Sequence, residues 1–176
     1  MMKKLRFYTI LIFVCLIHVH NANAQTPYVI STDDQTGSRI YKGSINKYTL
    51  QNDSTFSWYA RSAQDYEPDV NLIARIERKK VGLHFIVFGG TWCDDSQYIM
   101  PRFFKLTEKA GISDSVICLF GVDRNKQTLS NLSSAFGVTR VPTIIAMMDG
   151  KEIGRVVEYG TTGKWDVELV DWIEKK

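Results

Sequence analysis

A short apolar run, HFIVF at residues 84–88, leads through two glycines, Thr91 and Trp92 to Cys93, after which an amphipathic helix begins. A cysteine at a helix start lies among free backbone N–H groups and at the positive end of the helix dipole, and both favour a thiolate. This junction therefore predicts a thiol nucleophile at Cys93. Ser96 stands where a dithiol site would carry its second sulfur.

The first 24 residues have the pattern of a cleaved signal peptide. Basic residues near the start are followed by an apolar run over 10–17 and by the small-residue site Ala22-Asn23-Ala24. The apolar run is too short for a membrane span. A lipoprotein would use Cys15, but Val14 is larger than the residue that usually precedes such a cysteine. The sequence therefore predicts export, cleavage after Ala24 and no stable membrane anchor.

Charge and cysteine usage narrow the function classes for the mature chain. The whole chain has 22 basic and 19 acidic residues, and three of the basic ones belong to the signal, which leaves 19 of each sign. A neutral chain gives no indication of a nucleic-acid partner. Only Cys93, Cys118 and His84 remain as Cys or His, too few for a disulfide scaffold or a zinc site. We expect no metal and no other cofactor.

The mature chain divides into two parts. Residues 25–66 are polar and irregular, but their aromatic residues predict short helices that pack on the domain as a cap or a specificity element. Residues 67–176 alternate between helix and strand patterns, which predicts an α/β domain with a mixed sheet and helices on both faces. The predicted elements are a helix from Pro68 to Lys80, strands over 83–89 and 116–122, a helix after Cys93, a helix over 129–136, a hairpin turning at Asp149-Gly150 and a last helix from Gly163. Cys118 is expected to be buried within a central strand.

Residues 67–176 resemble the thioredoxin family. The resemblance rests on Trp-Cys after a buried strand, on Pro101 inside the following helix, on Val141-Pro142-Thr143 and on the hairpin with its final helix. It implies a thioredoxin fold, a three-layer sandwich with a central mixed β-sheet, here with an N-terminal extension. It also implies a cis peptide bond before Pro142 and a peptide groove beside Cys93. The residues that would form this groove are Trp92, Asp95, Val141, Pro142 and Gly160.

The stretch Gly-Gly-Thr-Trp-Cys-x-Asp-Ser is similar to that of exported bacterial members of the family. This resemblance implies the periplasm of a Gram-negative bacterium as the location, with secretion as the alternative. Three positions depart from the thioredoxin pattern. Ser96 replaces the cysteine that releases the partner, and Val87 replaces a buried carboxylate that assists proton transfer. Asp94-Asp95 replaces Gly-Pro, and its charges suit a helix start but disfavour a neighbouring thiolate.

The leading hypothesis is monothiol thiol–disulfide exchange through Cys93, with Ser96 as a supporting residue. Its partners would be cysteine-containing proteins or small thiols, and an external thiol would resolve the mixed disulfide. Ser96 would either hydrogen-bond the Cys93 thiolate or cap the helix. The alternative is a redox-inactive binding or chaperone-like module that uses the same groove. A third hypothesis, a Cys-x-x-Ser iron–sulfur site as in monothiol glutaredoxins, is disfavoured by Trp92 and by the signal peptide.

Overall fold

The structure, a computed structural model, describes residues 26–175, so the predicted signal peptide lies outside the described residues. The described strands are β1 (Tyr28–Thr32), β2 (Arg39–Ile45), β3 (Leu83–Gly89), β4 (Ile117–Gly121), β5 (Thr143–Met148) and β6 (Lys151–Val157). The described α-helices are α1 (Lys47–Asn52), α2 (Ser57–Gln64), α3 (Val70–Lys79), α4 (Asp94–Lys109), α5 (Leu132–Ala135) and α6 (Trp165–Glu174). Short 3₁₀ turns precede β4 and α5.

The six strands form one mixed sheet in the order β1-β2-β4-β3-β5-β6. The central strands β3 and β4 are parallel, with Val87 opposite Leu119, and each of the other neighbouring pairs is antiparallel. Carboxyl ends of parallel strands meet at the same edge of a sheet, so the segments after Gly89 and Gly121 lie together. The predicted α/β class and the mixed sheet flanked by helices are confirmed.

Two clusters of buried side chains lie on the two faces of the sheet. The larger cluster joins α1–α4 and α6 to one face and includes Phe85, Val87 and Phe103. The smaller cluster, with Phe88 and Ile145 at its centre, packs against partly buried Trp92 and Cys93. The apolar surface of the smaller cluster is therefore continuous with the predicted reactive site.

Pro101 lies inside α4, which continues to Lys109. A proline within a helix removes one backbone hydrogen bond, and its ring crowds the preceding turn. The helix nevertheless holds its place because half of its residues are buried, with Ile99, Met100 and Phe103 inaccessible to solvent. Burial of this apolar face offsets the local cost of the proline.

The prediction that residues 25–66 are irregular apart from short helices was incomplete. The two short helices are present as α1 and α2, but this segment also supplies β1 and β2, which extend the sheet beyond β4. β1 carries no apolar alternation because it is an edge strand with little burial. Leu50, Phe56 and Tyr59 lie in the larger core cluster, so the segment packs on the domain. The predicted boundary between residues 66 and 67 stays a prediction.

The expectation that Cys118 is buried was wrong, since its side chain is exposed. In β4 only Leu119 and Gly121 are buried, because the helix on the opposite face is a single turn. The helix predicted over 129–136 is broken by Ser130 and Asn131, whose φ angles are 60° and 56°. The resulting smaller cluster reaches Phe120 but does not include Cys118.

Candidate functional site

Cys93 is the N-cap residue of α4, at the edge of the sheet where β3 ends. Its backbone N–H donates to the Gly90 carbonyl at 3.0 Å, and its own carbonyl accepts from the Gln97 N–H at 2.9 Å. The sulfur is therefore held at a helix N-terminus, which favours negative charge. Asp94 and Asp95 occupy the same first turn and oppose that effect on the sulfur.

Ser96 makes neither of the contacts expected from the sequence. It lies within the first turn of α4 and is fully buried, and its hydroxyl oxygen accepts from the Gly90 N–H at 3.1 Å. Cys93, not Ser96, occupies the cap position. The reason is the conformation of the Gly90–Trp92 loop, which places the Gly90 N–H within hydrogen-bonding distance of the Ser96 hydroxyl. Ser96 therefore fixes the loop that carries Cys93.

Val141 and Pro142 lie directly beside the thiol. The Cys93 thiol donates to the Val141 carbonyl, with an Sγ–O distance of 3.4 Å, and the Val141–Pro142 peptide bond is cis. Both side chains are buried. The Pro142 carbonyl accepts from the Glu158 N–H at 2.7 Å, which ties this loop to the end of β6.

Asp95 and Gly160 lie on the side of the site formed by the loop after β6. Burial and the nearby Asp95 carboxylate raise the pKa of Tyr159. Tyr159 and Gly160 line a cleft of about 390 Å³ that also includes Arg140 and Glu158. The Gly160 φ angle is +77°, in the left-handed region that favours glycine, and a Cβ there would lie 2.6 Å from the Glu168 carboxylate.

Glu168 holds the Gly160 loop in place from the start of α6. Its carboxylate accepts from the backbone N–H groups of Thr161 and Thr162 and from both hydroxyls, at 2.5–3.0 Å. These hydrogen bonds lower the pKa of Glu168 to about 2. The wall of the cleft is therefore fixed by an ionised side chain.

Trp92 packs with Cys93 against the smaller core cluster. Its indole N–H donates to the Val122 carbonyl at 3.0 Å. The Arg124 guanidinium lies over the ring with its Cζ 4.7 Å from the centroid, and the Lys126 Nζ lies at 5.6 Å. Asp33, nearly inaccessible to solvent, holds Arg124 through two hydrogen bonds of 2.8 Å and 2.5 Å.

The Asp33–Arg124 pair was missed in the sequence because 91 residues separate its members. It holds the pKa of Asp33 well below its usual range and raises that of Arg124, to which the charges of Cys93 and Asp94 also contribute. One feature of the sequence could have placed Arg124 near Cys93. The charged residues after β4 follow a strand parallel to β3, so they belong at the same edge as Cys93.

Thr91 fastens the active-site loop to the N-terminal segment. Its buried hydroxyl donates to the Arg39 carbonyl at 2.7 Å and accepts from the Tyr41 N–H at 3.3 Å. These backbone groups lie on β2 beyond its pairing with β4, which covers only Gly43–Ile45. Thr91 therefore completes the hydrogen bonding of β2 where its neighbouring strand has ended.

Thr91→Val is expected to destabilise the protein by about 1–3 kcal/mol, because the buried Tyr41 N–H and the partly buried Arg39 carbonyl lose their partner while the side-chain volume is conserved. Urea unfolding followed by circular dichroism measures the change. Thr91→Ser keeps the hydroxyl and is the control, with an expected loss of less than about 1 kcal/mol. A larger loss for serine than for valine would show that the methyl group, not the hydroxyl, carries the contribution.

Within residues 26–175 no three His, Cys, Asp or Glu side chains are grouped so that they could hold a metal ion. Over the same range, no helix has the length and apolar character needed to cross a membrane. Cys93 and Cys118 are both free thiols. Of the predicted groove residues, Val141 contacts the Cys93 sulfur, Trp92 and Pro142 are its neighbours in the chain or in the cis-proline loop, and Asp95 and Gly160 lie beside Tyr159.

The sequence profile of a family described as thioredoxin matches residues 41–164. The chain belongs to the thioredoxin family. The matched range begins within β2, before the start of the region on which the resemblance was based. The thioredoxin fold and the family assignment made from the sequence are thus confirmed.

Two curated relatives are each 33% identical to this chain over part of its length. Thioredoxin H9 of Arabidopsis thaliana matches over 70 residues, which is 40% of this chain and 46% of that protein. A thioredoxin of Mycobacterium tuberculosis matches over 78 residues, 44% of this chain and 60% of that protein. The match therefore spans about half the length of these relatives. Among solved structures, a crystallised HIV epitope scaffold superimposes with a TM-score of 0.56 at 15% identity, covering 76% of this chain and 94% of the scaffold, a likeness of fold alone.

Proposed function

We propose that this protein is an exported thioredoxin-family member that carries out monothiol thiol–disulfide exchange through Cys93. The observation that carries the proposal is the position of Cys93, at the N-terminus of α4 and 3.4 Å from the Val141 carbonyl beside the cis-proline loop. The partners would be cysteine-containing proteins or small thiols. Export is proposed from the signal-peptide pattern, with the periplasm as the location.

The proposed exchange moves one sulfur–sulfur bond without net oxidation. The Cys93 thiolate attacks one sulfur of the partner disulfide, and the new mixed disulfide forms as the partner's own S–S bond breaks. The departing sulfur leaves with the electron pair and takes a proton from solvent. An external thiolate then attacks the partner sulfur of the mixed disulfide, which returns Cys93 as a thiolate.

The surroundings of the sulfur support a site that forms mixed disulfides but does not resolve them. Ser96 is buried and bound to the Gly90 N–H, so it neither contacts the thiol nor replaces a second sulfur. Cys118 lies opposite Ile86 in β4, three register positions from Gly121 at the active-site edge. This distance along the strand supports the proposal that an external thiol, and not Cys118, resolves the mixed disulfide at Cys93.

Cys118 provides an internal control for the test. Because Cys118 is exposed and Cys93 is partly buried, simple accessibility predicts faster modification of Cys118. We expect the reverse, since Cys93 lies at a helix N-terminus, whereas Cys118 lies within a strand. With bis(2-hydroxyethyl) disulfide near neutral pH, the adduct at Cys93 should form at least about tenfold faster.

Peptide mass mapping at successive times locates and quantifies both adducts. Cys93→Ala should remove the fast phase and leave the slow modification of Cys118 unchanged. If Cys93 forms no adduct, or reacts no faster than Cys118, the exchange proposal fails. That result would favour the redox-inactive binding module, for which Cys93→Ala should leave partner binding intact.

A further inference from the structure

The loop after β4 holds a lysine over Trp92, the residue before Cys93, in a fixed backbone conformation. The Asp123 carboxylate accepts from the N–H groups of Asn125 and Gln127, both at 2.9 Å, and the Lys126 N–H donates to the Asp123 carbonyl at 2.9 Å. This turn holds Lys126 at a φ of 60°, which is uncommon for a residue with a side chain. The side chain of Lys126 is half-buried over Trp92.

Two cations share the Trp92 ring, but only one of them is neutralised. Arg124 uses its Nε and Nη2 atoms on Asp33, so its charge is balanced, while the Nη1 atom takes no part in that pair. Lys126 has no carboxylate within 4.0 Å among residues 26–175. Among the described residues, Lys126 is therefore the cation over Trp92 without a carboxylate partner, next to the unused edge of Arg124.

Two carboxylates also follow Cys93 directly in the chain. Asp94 and Asp95 lie in the first turn of α4, and Asp95 lies near Tyr159. A partner bound at Cys93 would meet both the carboxylates of α4 and the cations over Trp92, and the charge of Asp94 also acts on Arg124.

We propose that Lys126, with the free edge of Arg124, forms a subsite for a carboxylate of the partner next to its disulfide. This inference rests on the proposed exchange and gives it a substrate class, disulfides that carry a negative charge near the sulfur. The carboxylate binds to Lys126 while the Cys93 thiolate attacks the neighbouring sulfur. The S–S bonds formed and broken are those of the exchange itself, so no further reactant is needed.

Three small aliphatic disulfides test the charge preference, namely dithiodipropionate with two negative charges, bis(2-hydroxyethyl) disulfide with none and cystamine with two positive charges. The measured quantity is the rate of adduct formation at Cys93, located by peptide mass mapping. For each disulfide the rate of Lys126→Gln is divided by that of the unchanged protein. The intrinsic reactivity of the disulfide cancels in this ratio.

Lys126→Gln should slow the reaction with dithiodipropionate by about three- to tenfold, at the low end of electrostatic steering because the site is partly exposed. The reaction with the neutral disulfide should change by less than about twofold, and that with cystamine should become faster. Lys126→Arg should retain the preference. Lys151→Gln makes the same change of charge at the opposite end of the sheet, where Lys151 pairs with Met148, and should alter none of the rates.

Equal slowing with all three disulfides would overturn the inference, because Lys126 would then act on the thiol and not on the partner. Loss of the preference in Lys151→Gln would overturn it as well, since overall charge would suffice. If the unchanged protein reacts at Cys93 but shows no dependence on Lys126, the subsite fails and the exchange stands. If no disulfide reacts at Cys93, the proposed exchange fails and the subsite with it.

Discussion

Ser96→Cys is expected to turn a site that retains its partner into one that releases it. Residue 93 is the N-cap of α4 and residue 96 lies three positions later, in its first turn. Helix geometry puts Cα atoms three positions apart at about 5 Å, within the range of about 4.4–6.8 Å that a disulfide spans between Cα atoms. A sulfur at position 96 would therefore attack the mixed disulfide at Cys93 and close an internal disulfide between positions 93 and 96.

Release of the partner should become at least about a hundredfold faster than in the unchanged protein with about 1 mM external thiol. The reason is that the attacking sulfur becomes part of the same molecule, which raises its effective concentration. The lifetime of a purified mixed disulfide with a small thiol, followed by mass, measures the effect, without reductant for Ser96→Cys and with the external thiol for the unchanged protein. Ser96→Ala removes the hydroxyl without adding a sulfur and should keep the long lifetime.

The same substitution has a structural cost that can be measured separately. The Ser96 oxygen accepts from the buried Gly90 N–H at 3.1 Å, and sulfur is a weaker acceptor. Both Ser96→Cys and Ser96→Ala should therefore lose about 1–2 kcal/mol of unfolding free energy under reducing conditions. A Ser96→Cys protein that is as stable as Ser96→Ala but still keeps its partner would show that residues 93 and 96 do not approach each other.

The sequence predicted the helices and strands that bury one or both faces, because burial leaves a regular apolar pattern in the sequence. β3, α4 and the hairpin at Asp149-Gly150 lie where the pattern placed them. β1 was missed because an edge strand buries little and so shows no alternation. The wrong placement of Cys118 has a related cause, since an apolar run indicates a buried strand only if a helix covers both faces.

The candidate site likewise contains residues that the sequence predicted and contacts that it did not predict. Cys93, Trp92, Val141 and Pro142 are recognisable because they stand in short motifs with fixed spacing. The contact that fixes the Arg124 guanidinium joins two loops far apart in sequence, and no local pattern carries it. The hydroxyl of Ser96 points to a backbone donor whose position depends on the loop conformation, so its role also required the structure.

A chain limited to residues 67–176 is expected not to fold, although the resemblance to thioredoxins was first drawn from that region. Removing residues 26–66 takes five buried side chains from the larger core cluster, namely Tyr41, Ile45, Leu50, Phe56 and Tyr59. Burying a large apolar side chain stabilises a protein by about 1.5–3 kcal/mol, so the loss amounts to roughly 10 kcal/mol. A domain of this size is stable by only about 5–15 kcal/mol.

The truncation also removes polar partners that the remaining chain needs. β4 would lose β2 and become an edge strand with unpaired backbone groups, and Arg124 would lose Asp33. Far-UV circular dichroism and urea unfolding should show no cooperative transition for 67–176, while 26–176 should unfold in one transition. A cooperative transition for 67–176 would show that β1, β2, α1 and α2 are an appendage. The expected result would make them part of the folding unit that holds Thr91 and Arg124 beside the reactive cysteine.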